Sequence, residues 1–115
     1  MHQKAIAIDF DGVIHKYTKG WQNGVVYDDP VEYSFAAMYK LMSLGYEIFI
    51  FTTRTNHEDI RVWIREKAIE EGIDPDIAIE LSAVEITNIK KPAITYIDDR
   101  GLRFTNWRDM LKYFA

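Results

Sequence analysis

The chain of 115 residues contains no cysteine, which excludes disulfide bonds, thiolate zinc sites and a cysteine nucleophile. Its three histidines, His2, His15 and His57, lie in unrelated segments without the spacing of metal ligands, so we interpret them as surface residues. A glycine-rich phosphate loop of either common type is also missing. Any bound phosphate must therefore be held by side chains and turn amides.

Long hydrophobic runs are absent as well. No run approaches the roughly 18 apolar residues that a membrane span needs, and the opening MHQKAIAIDF lacks the apolar region of a signal peptide. We find no internal repeat, low-complexity tract or linker. These absences predict a soluble, cytoplasmic protein with no membrane partner.

The composition fits one globular domain over residues 1–115, because 48% of the residues are apolar and 28% are charged. A net charge of −4 argues against a general polyanion binder. We therefore expect no stable nucleic-acid complex, while nucleic acid remains open as a substrate.

The most informative stretch is residues 4–14, KAIAIDFDGVI. Its apolar run at 5–8 is typical of a strand that is covered on both faces. Asp9 and Asp11 follow, and on an extended chain they point the same way, while Gly12 permits a turn. Two carboxylates held this close repel unless a cation relieves them, so the pattern indicates a metal site. The alternative interpretation is a solvated turn.

Residues 15–27 predict a short β-hairpin flap, because Asn23-Gly24 is a two-residue turn signal flanked by Trp21 and by residues 25–27. The flap would project over the acidic turn. Trp21 then either packs the hairpin against the body or contacts a substrate.

The rest of the chain alternates helix and strand patterns. Asp29 and Pro30 are the start signal of a first helix that ends at Gly45. The later predicted elements are a strand at 47–51, a helix capped by Asn56 and ending at Gly72, strands at 77–81, 93–97 and 102–104, and a final helix capped by Asn106. Residues 82–89 are open between loop and helical turn. This order predicts an α/β fold: a three-layer, doubly wound, Rossmann-like and mainly parallel sheet with helices on both faces.

Polar residues directly follow several of these strands, where parallel sheets bind their ligands. They are Asp9, Asp11, Thr52, Asp98 and Asp99. Four carboxylates at one edge suit Mg²⁺. A hydroxyl from Thr52 and an ammonium from Lys91 or Lys90 fit a phosphoryl group. An aspartate can then act as the nucleophile through an aspartyl-phosphate, with Asp11 as general acid and base.

Four segments in order, IDFDGVI, FIFTTR, KKP and TYIDDRG, resemble the motifs of the haloacid dehalogenase superfamily of phosphohydrolases across most of the chain. The matched positions are Asp9 and Asp11 for the first motif, Thr52 for the second, Lys91 for the third, and Asp98 with Asp99 for the fourth. Thr53 is the alternative in the second motif and Lys90 in the third.

The resemblance implies that Asp9 is the nucleophile and a metal ligand. Asp11 would be the acid/base and a ligand through its backbone carbonyl. Thr52 and Lys91 would hold the phosphoryl group, and the acidic pair of the fourth motif would complete the Mg²⁺ site, with either member as the direct ligand.

Many members of that superfamily carry a large cap domain, for which this chain has no room. A small capless member has an open site, which in the family implies a macromolecular substrate end or a neighbouring subunit of a homo-oligomer that covers it. Trp21 and Arg54 are candidate substrate contacts.

The predicted activity is that of a Mg²⁺-dependent phosphatase, a hydrolase of phosphoric monoesters, on a small or macromolecular phosphorylated substrate. One alternative is a nucleotidase or nucleic-acid end phosphatase that uses Trp21 or Tyr17 for stacking. Another is a non-catalytic module that binds a phosphorylated ligand. A phospho-accepting receiver domain fits less well, because residues 52–54, Thr-Thr-Arg, stand where its phosphorylated aspartate is expected.

Overall fold

The computed structural model describes residues 4–98 and 101–114. Its strands are β1 (Ala5–Asp9), β2 (Glu47–Phe51), β3 (Glu85–Thr87), β4 (Thr95–Asp98) and β5 (Leu102–Arg103), and its helices are α1 (Ser34–Ser43), α2 (His57–Glu70), α3 (Pro75–Ser82) and α4 (Trp107–Leu111). The strands form one sheet in the order β3-β2-β1-β4-β5, and all neighbours are parallel. The predicted α/β class with a parallel sheet is confirmed, and this sheet is compatible with a Rossmann-like fold.

Strand β1 lies in the centre of the sheet. The chain runs from it to β2 and β3 on one side, and then returns to β4 and β5 on the other. This reversal opens a crevice between the carboxyl ends of β1 and β4, which is where open parallel sheets bind ligands.

One face of the sheet carries the main hydrophobic core. Side chains alternate along a strand, and the face that contains Ile8, Ile50 and Ile97 is fully buried. These residues share one cluster with the buried faces of all four described helices, for example through Met38 of α1 and Ile64 of α2.

The opposite face carries Ala7, Phe49 and Tyr96, which are not part of that cluster. Phe49 and Tyr96 make edge-to-face contact with ring centroids 6.2 Å apart. Residues 88–94 connect β3 to β4 without a helix. The predicted layer of helices on this face is therefore not confirmed within the described residues.

The strand predicted at 77–81 is wrong, because this segment belongs to helix α3. Pro75 occupies the first turn, and the side chain of Asp74 caps the helix by accepting the Asp76 N–H at 2.9 Å. Ala78 and Leu81, three residues apart, are both buried, as a helical period requires. The strand forms later, as β3, within the segment left open between loop and turn.

The β-hairpin predicted for residues 15–27 is also wrong. The Asn23-Gly24 signal does produce left-handed backbone, with φ of 55° and 80°, but within a short 3₁₀ turn. Its flanks are joined by side chains instead of a strand ladder. The Tyr27 hydroxyl accepts the Lys19 N–H, and the Asp28 carboxylate accepts the backbone N–H of Thr18. The segment is thus a cross-tied loop, which we call the β1–α1 loop (residues 10–33).

Helix α1 begins at Ser34 and not at the predicted Asp29–Pro30 signal. Residues 29–31 are extended, because Lys16 donates its N–H to the Asp29 carbonyl and Val31 donates to Ile14. These backbone hydrogen bonds hold the chain against residues 14–16 until Tyr33 turns it into the helix with φ of 67°.

Other predicted elements are confirmed. β2 coincides with the predicted strand at 47–51, and α2 starts directly after Asn56 with Ile60, Trp63 and Ile64 buried. Asn106 caps α4 by accepting the Asp109 N–H. No helix in the described ranges is long and apolar enough to cross a membrane.

The tie between Thr18 and Asp28 predicts a pH-dependent stability. Hydrogen bonds from the Thr18 hydroxyl and backbone, and from the backbone of Asp29, lower the pKa of Asp28 from 3.8 to about 2. A lowered pKa stabilises the fold above pH 3.8, and this contribution disappears as the pH falls through about 2.

We expect Thr18→Val to be less stable than the wild type at pH 6, and the difference to shrink towards pH 2, where Asp28 becomes protonated. Chemical unfolding at each pH measures both. Thr105→Val, which alters an exposed threonine far along the chain, is the control. A difference that stays constant with pH would contradict the assigned tie.

Candidate active site

Two carboxylates end the neighbouring central strands. Asp9 is the last residue of β1 and Asp98 the last of β4, and the register of Ile8 with Ile97 places them side by side on the same face of the sheet. An Asp9 carboxylate oxygen accepts the Phe10 N–H at 2.8 Å. An Asp98 oxygen accepts the Gly101 N–H at 2.6 Å. Each of the two side chains thus accepts a hydrogen bond from a backbone N–H group.

A cleft of about 330 Å³ opens at this edge of the sheet. Its lining includes Asp9, Asp11, Asp98, Arg103 and Phe104. The structure therefore brings three of the predicted acidic residues to one cavity, and it adds an exposed guanidinium. Two larger depressions lie beside α4, and none of the predicted site residues line them.

The Asp11 carboxylate is held by two side chains. Arg54 donates from Nε to Oδ2 at 2.8 Å and from Nη2 to Oδ1 at 3.1 Å, and His15 Nδ1 lies 2.9 Å from Oδ1. Burial by itself would raise the pKa of Asp11, but the hydrogen bonds from His15 and Arg54 and the charge of Arg54 outweigh it, and the pKa lies below the usual 3.8. The side chain is therefore an acceptor held in its charged form.

His15 is completely buried, so its interpretation as a surface residue is wrong. Its Nε2 accepts the backbone N–H of Asp28 at 3.0 Å, which leaves the ring proton on Nδ1. Nδ1 then donates to Asp11, so His15 is a neutral donor that fixes the carboxylate. His57 is partly buried beside the Arg54 carbonyl, and His2 lies outside the described residues.

Arg54, a candidate substrate contact, is 1% exposed, and its side chain is directed at other residues of the protein. Besides the two hydrogen bonds to Asp11, Nη1 donates to the Gly24 carbonyl at 2.6 Å. The guanidinium also lies over the rings of Phe10, Tyr17 and Trp21, at 5.8, 5.7 and 5.1 Å from their centroids. Among the described residues, these contacts of the guanidinium are made to the β1–α1 loop.

Further hydrogen bonds anchor this loop to the body. The Asn56 amide donates to the Gly24 carbonyl at 2.9 Å. The Trp63 indole donates to the Asp28 carbonyl and the Trp107 indole to the Val13 carbonyl. The loop therefore has a defined position beside the cleft, although it contains no strand.

The predicted phosphate-binding residues lie apart from the cleft lining. Thr52 follows β2 and is buried, and its Oγ1 accepts the Arg54 N–H at 3.2 Å. The Lys91 ammonium contacts the Glu85 carboxylate at 2.5 Å and lies 4.8 Å from the centroid of the Phe49 ring. Glu85 is the main cause of a raised pKa of Lys91. The Lys90 ammonium lies over the Tyr96 ring.

Of the four predicted metal ligands, the structure describes three, and these line the cleft. The carboxylates of Asp9 and Asp98 line the same cleft, whereas that of Asp11 is occupied by His15 and Arg54. Asp99 lies outside the described residues. Among residues 4–98 and 101–114, no three histidine or acidic side chains are grouped as a ready metal site.

Comparison of the chain with protein-family models, with curated proteins and with solved structures gives no match.

Sequence reasoning missed two residues of this site. His15 follows Asp11 by four residues, and its position directly after the apolar pair Val13-Ile14 was the available signal of burial. Arg103 lines the cleft because it pairs with Asp98 in the sheet. That parallel pairing across such a short connection has no local signal in the sequence.

The site predicts different effects for the same substitution at two neighbouring positions. In Asp11→Asn the amide must turn its NH₂ towards a donor of Arg54 or His15, and the buried guanidinium loses its counter-charge. We expect a loss of roughly 2–4 kcal/mol in the free energy of unfolding. In Asp9→Asn the amide oxygen still accepts the Phe10 N–H, so we expect a change below about 1 kcal/mol.

Denaturant unfolding of both variants at neutral pH is the measurement. Equal losses would mean that Arg54 does not depend on Asp11.

Proposed function

We propose that this chain is a Mg²⁺-dependent phosphatase that hydrolyses phosphoric monoesters through an aspartyl-phosphate on Asp9, as a small capless member of the haloacid dehalogenase superfamily. The observation that supports the proposal is that Asp9 and Asp98 directly follow the paired residues Ile8 and Ile97 of adjacent central strands and line one cleft, at the crevice between β1 and β4.

The residues at the cleft fit Mg²⁺. This ion keeps several waters and takes only one or two carboxylates from the protein, with phosphate oxygens completing its shell. Asp9 and Asp98 would supply those carboxylates, the Asp11 backbone carbonyl would be a further oxygen ligand, and Asp99 is the alternative to Asp98. The bound ion would neutralise the charge that the phosphoryl group carries during transfer.

The first step is attack of an Asp9 carboxylate oxygen on phosphorus. An O–P bond forms, the bond from phosphorus to the leaving oxygen breaks, and that oxygen takes up a proton. In the second step a water oxygen attacks phosphorus and the bond to Asp9 breaks, which regenerates the carboxylate and releases phosphate.

Hydrogen bonds from Arg54 and His15 hold Asp11 in its charged form and lower its pKa, which makes it a weak base for the attacking water. The ion pair with Arg54 opposes its protonation and so also disfavours the acid role implied by the resemblance. In an open cleft, water is available both to give a proton to the leaving group and to take one from the attacking water.

Thr52 and Lys91 are the proposed phosphoryl-binding residues, with Thr53 and Lys90 as alternatives. The Lys91 ammonium lies over the ring of Phe49. Phe49 is on the same face of the sheet as Asp9, two residues before the end of β2. The long, flexible side chain of Lys91 can exchange Glu85 for a phosphoryl group at Asp9.

The resemblance also carries a three-layer sheet, an open site without a cap, and a neighbouring subunit that covers the site. These remain predictions, as does the cytoplasmic location. A non-catalytic binding module is the competing proposal, and turnover distinguishes it.

The first test is hydrolysis of an aryl phosphate with and without Mg²⁺. We expect metal-dependent release in the wild type and a loss of at least about 10³-fold in Asp9→Asn, because the nucleophile is removed. Asp109→Asn, the same change on the exposed surface of α4, is the control. No release by folded protein with Mg²⁺ and a broad panel of phosphomonoesters would favour the binding module.

The two lysines predict a second comparison. Lys91→Ala should raise KM or lower kcat for a phosphomonoester more than Lys90→Ala does, because Lys91 is the lysine that the resemblance matches to the third motif, and its ammonium lies over Phe49 whereas that of Lys90 lies over Tyr96. Steady-state kinetics of both variants measure this, and unfolding curves check that each is folded. Equal effects would remove the assignment to Lys91.

A further inference from the structure

Trp21 differs from the other tryptophans in its exposure. It is 55% exposed, whereas Trp63 is 6% and Trp107 1% exposed, and both of these bury their indole rings in the core. An aromatic ring left in water, on the loop that follows the Asp-x-Asp turn, is a typical contact for a flat ligand.

The ring of Trp21 is nevertheless held in place. The Arg54 guanidinium lies 5.1 Å from its centroid. On its edge, the backbone of Gly24 approaches so closely that an added Cβ would lie 3.2 Å from Trp21 Cζ2. Gly24 also has φ of 80°, a conformation that favours glycine. The turn at residues 22–24 thus packs closely against the edge of the Trp21 ring.

Arg54 also links this ring to the acidic residues of the site. The guanidinium that lies over Trp21 binds both carboxylate oxygens of Asp11. One side chain therefore separates the indole from the Asp-x-Asp turn, and it is 1% exposed and anchored by three donors. The Arg54 side chain thus fixes the position of the Trp21 ring relative to Asp11.

We propose that Trp21 is a stacking platform for a nucleobase, and that the substrate of the site is a nucleotide phosphate, with its base on Trp21 and its phosphate at Asp9. The proposal rests on the proposed function for the place of the phosphate. In a nucleoside monophosphate one ribose separates base and phosphate, and in the structure one side chain, that of Arg54, lies between the indole and Asp11 of the Asp-x-Asp turn.

Stacking is tolerant of base identity, because every base has a π-face. We therefore expect binding of purine and pyrimidine nucleotides alike, with the larger purines bound more tightly. Base stacking on an aromatic side chain corresponds to about a 5- to 100-fold gain in affinity over the same phosphate without a base.

The test compares binding of adenosine 5′-monophosphate and ribose 5-phosphate by calorimetry, in the presence of Mg²⁺ and with Asp9→Asn to prevent turnover. These probes share the sugar phosphate and differ in the base. We expect the nucleotide to bind about 5- to 100-fold more tightly. We also expect it to quench tryptophan fluorescence, since Trp21 is the exposed one of the three tryptophans.

Combining Trp21→Ala with Asp9→Asn should abolish the preference for the nucleotide, and Trp21→Phe should retain part of it. Tyr39→Ala, which removes an exposed aromatic ring from α1, should leave it unchanged. Equal affinity for both probes, a preference that persists in Trp21→Ala, or no nucleotide binding at millimolar concentration would overturn the platform.

Turnover separates this proposal from the one on which it rests. Base-dependent binding without phosphate release from any substrate would retain the platform and overturn the phosphatase. Efficient release from both probes with equal kcat/KM would retain the phosphatase and overturn the platform. A 5′-phosphorylated oligonucleotide identifies the source of the base: tighter binding than the mononucleotide indicates a strand end, and equal or weaker binding indicates a free nucleotide.

Discussion

The ion pair between Arg54 and Asp11 joins the parts of the molecule that surround the cleft. A guanidinium that is 1% exposed requires a counter-charge and partners for its donors. Its planar fork binds both oxygens of Asp11 and the Gly24 carbonyl at once, which a lysine ammonium cannot do. Through the Arg54 side chain, the segment that follows β2 is bound to both Asp11 and Gly24 of the β1–α1 loop. His15 adds a neutral donor to the same carboxylate. Because Arg54 binds both of its oxygens, the Asp11 carboxylate is poorly available to bind a metal or to exchange a proton.

The two faces of the sheet have different surroundings. One face packs against the described helices and supplies the hydrophobic core. The other carries Phe49, Phe51 and Tyr96 in edge-to-face contacts, with the two lysines of residues 88–94 above these rings. Asp9 and Asp98 point to this second face. Within the described residues, the short crossover from β3 to β4 thus leaves the Asp9 and Asp98 carboxylates on the side of the sheet where cationic side chains stand in place of a helix.

How far the sequence predicted this structure depended on how far apart the interacting residues are. Apolar runs followed by an aspartate correctly predicted strands β1 and β4 and the acidic residues at their ends, because this signal lies within a few consecutive residues. The five apolar-rich residues at 77–81 suggested a strand, although the Asp74-Pro75 pair beside them is a helix start signal. The burial of Arg54, which the sequence offered as a candidate substrate contact, has no local signal because its partner Asp11 lies 43 residues away. For His15, the decisive contact is a backbone N–H that the loop brings back from residue 28.

The position of β1 has a consequence for motion. This strand is hydrogen-bonded to β2 along its whole length and to β4 over residues 6–8, so the backbone of Asp9 separates from its neighbours only when the sheet itself opens. The β1–α1 loop is held to the body by side-chain hydrogen bonds, three from Arg54 and one each from Asn56, Trp63 and Trp107, and such bonds can break and reform locally at lower free energy than a sheet ladder. Amide exchange is therefore expected to be slower at Asp9 than in the loop beside it. A ligand can enter through transient opening of that loop while the Asp9 carboxylate keeps its place.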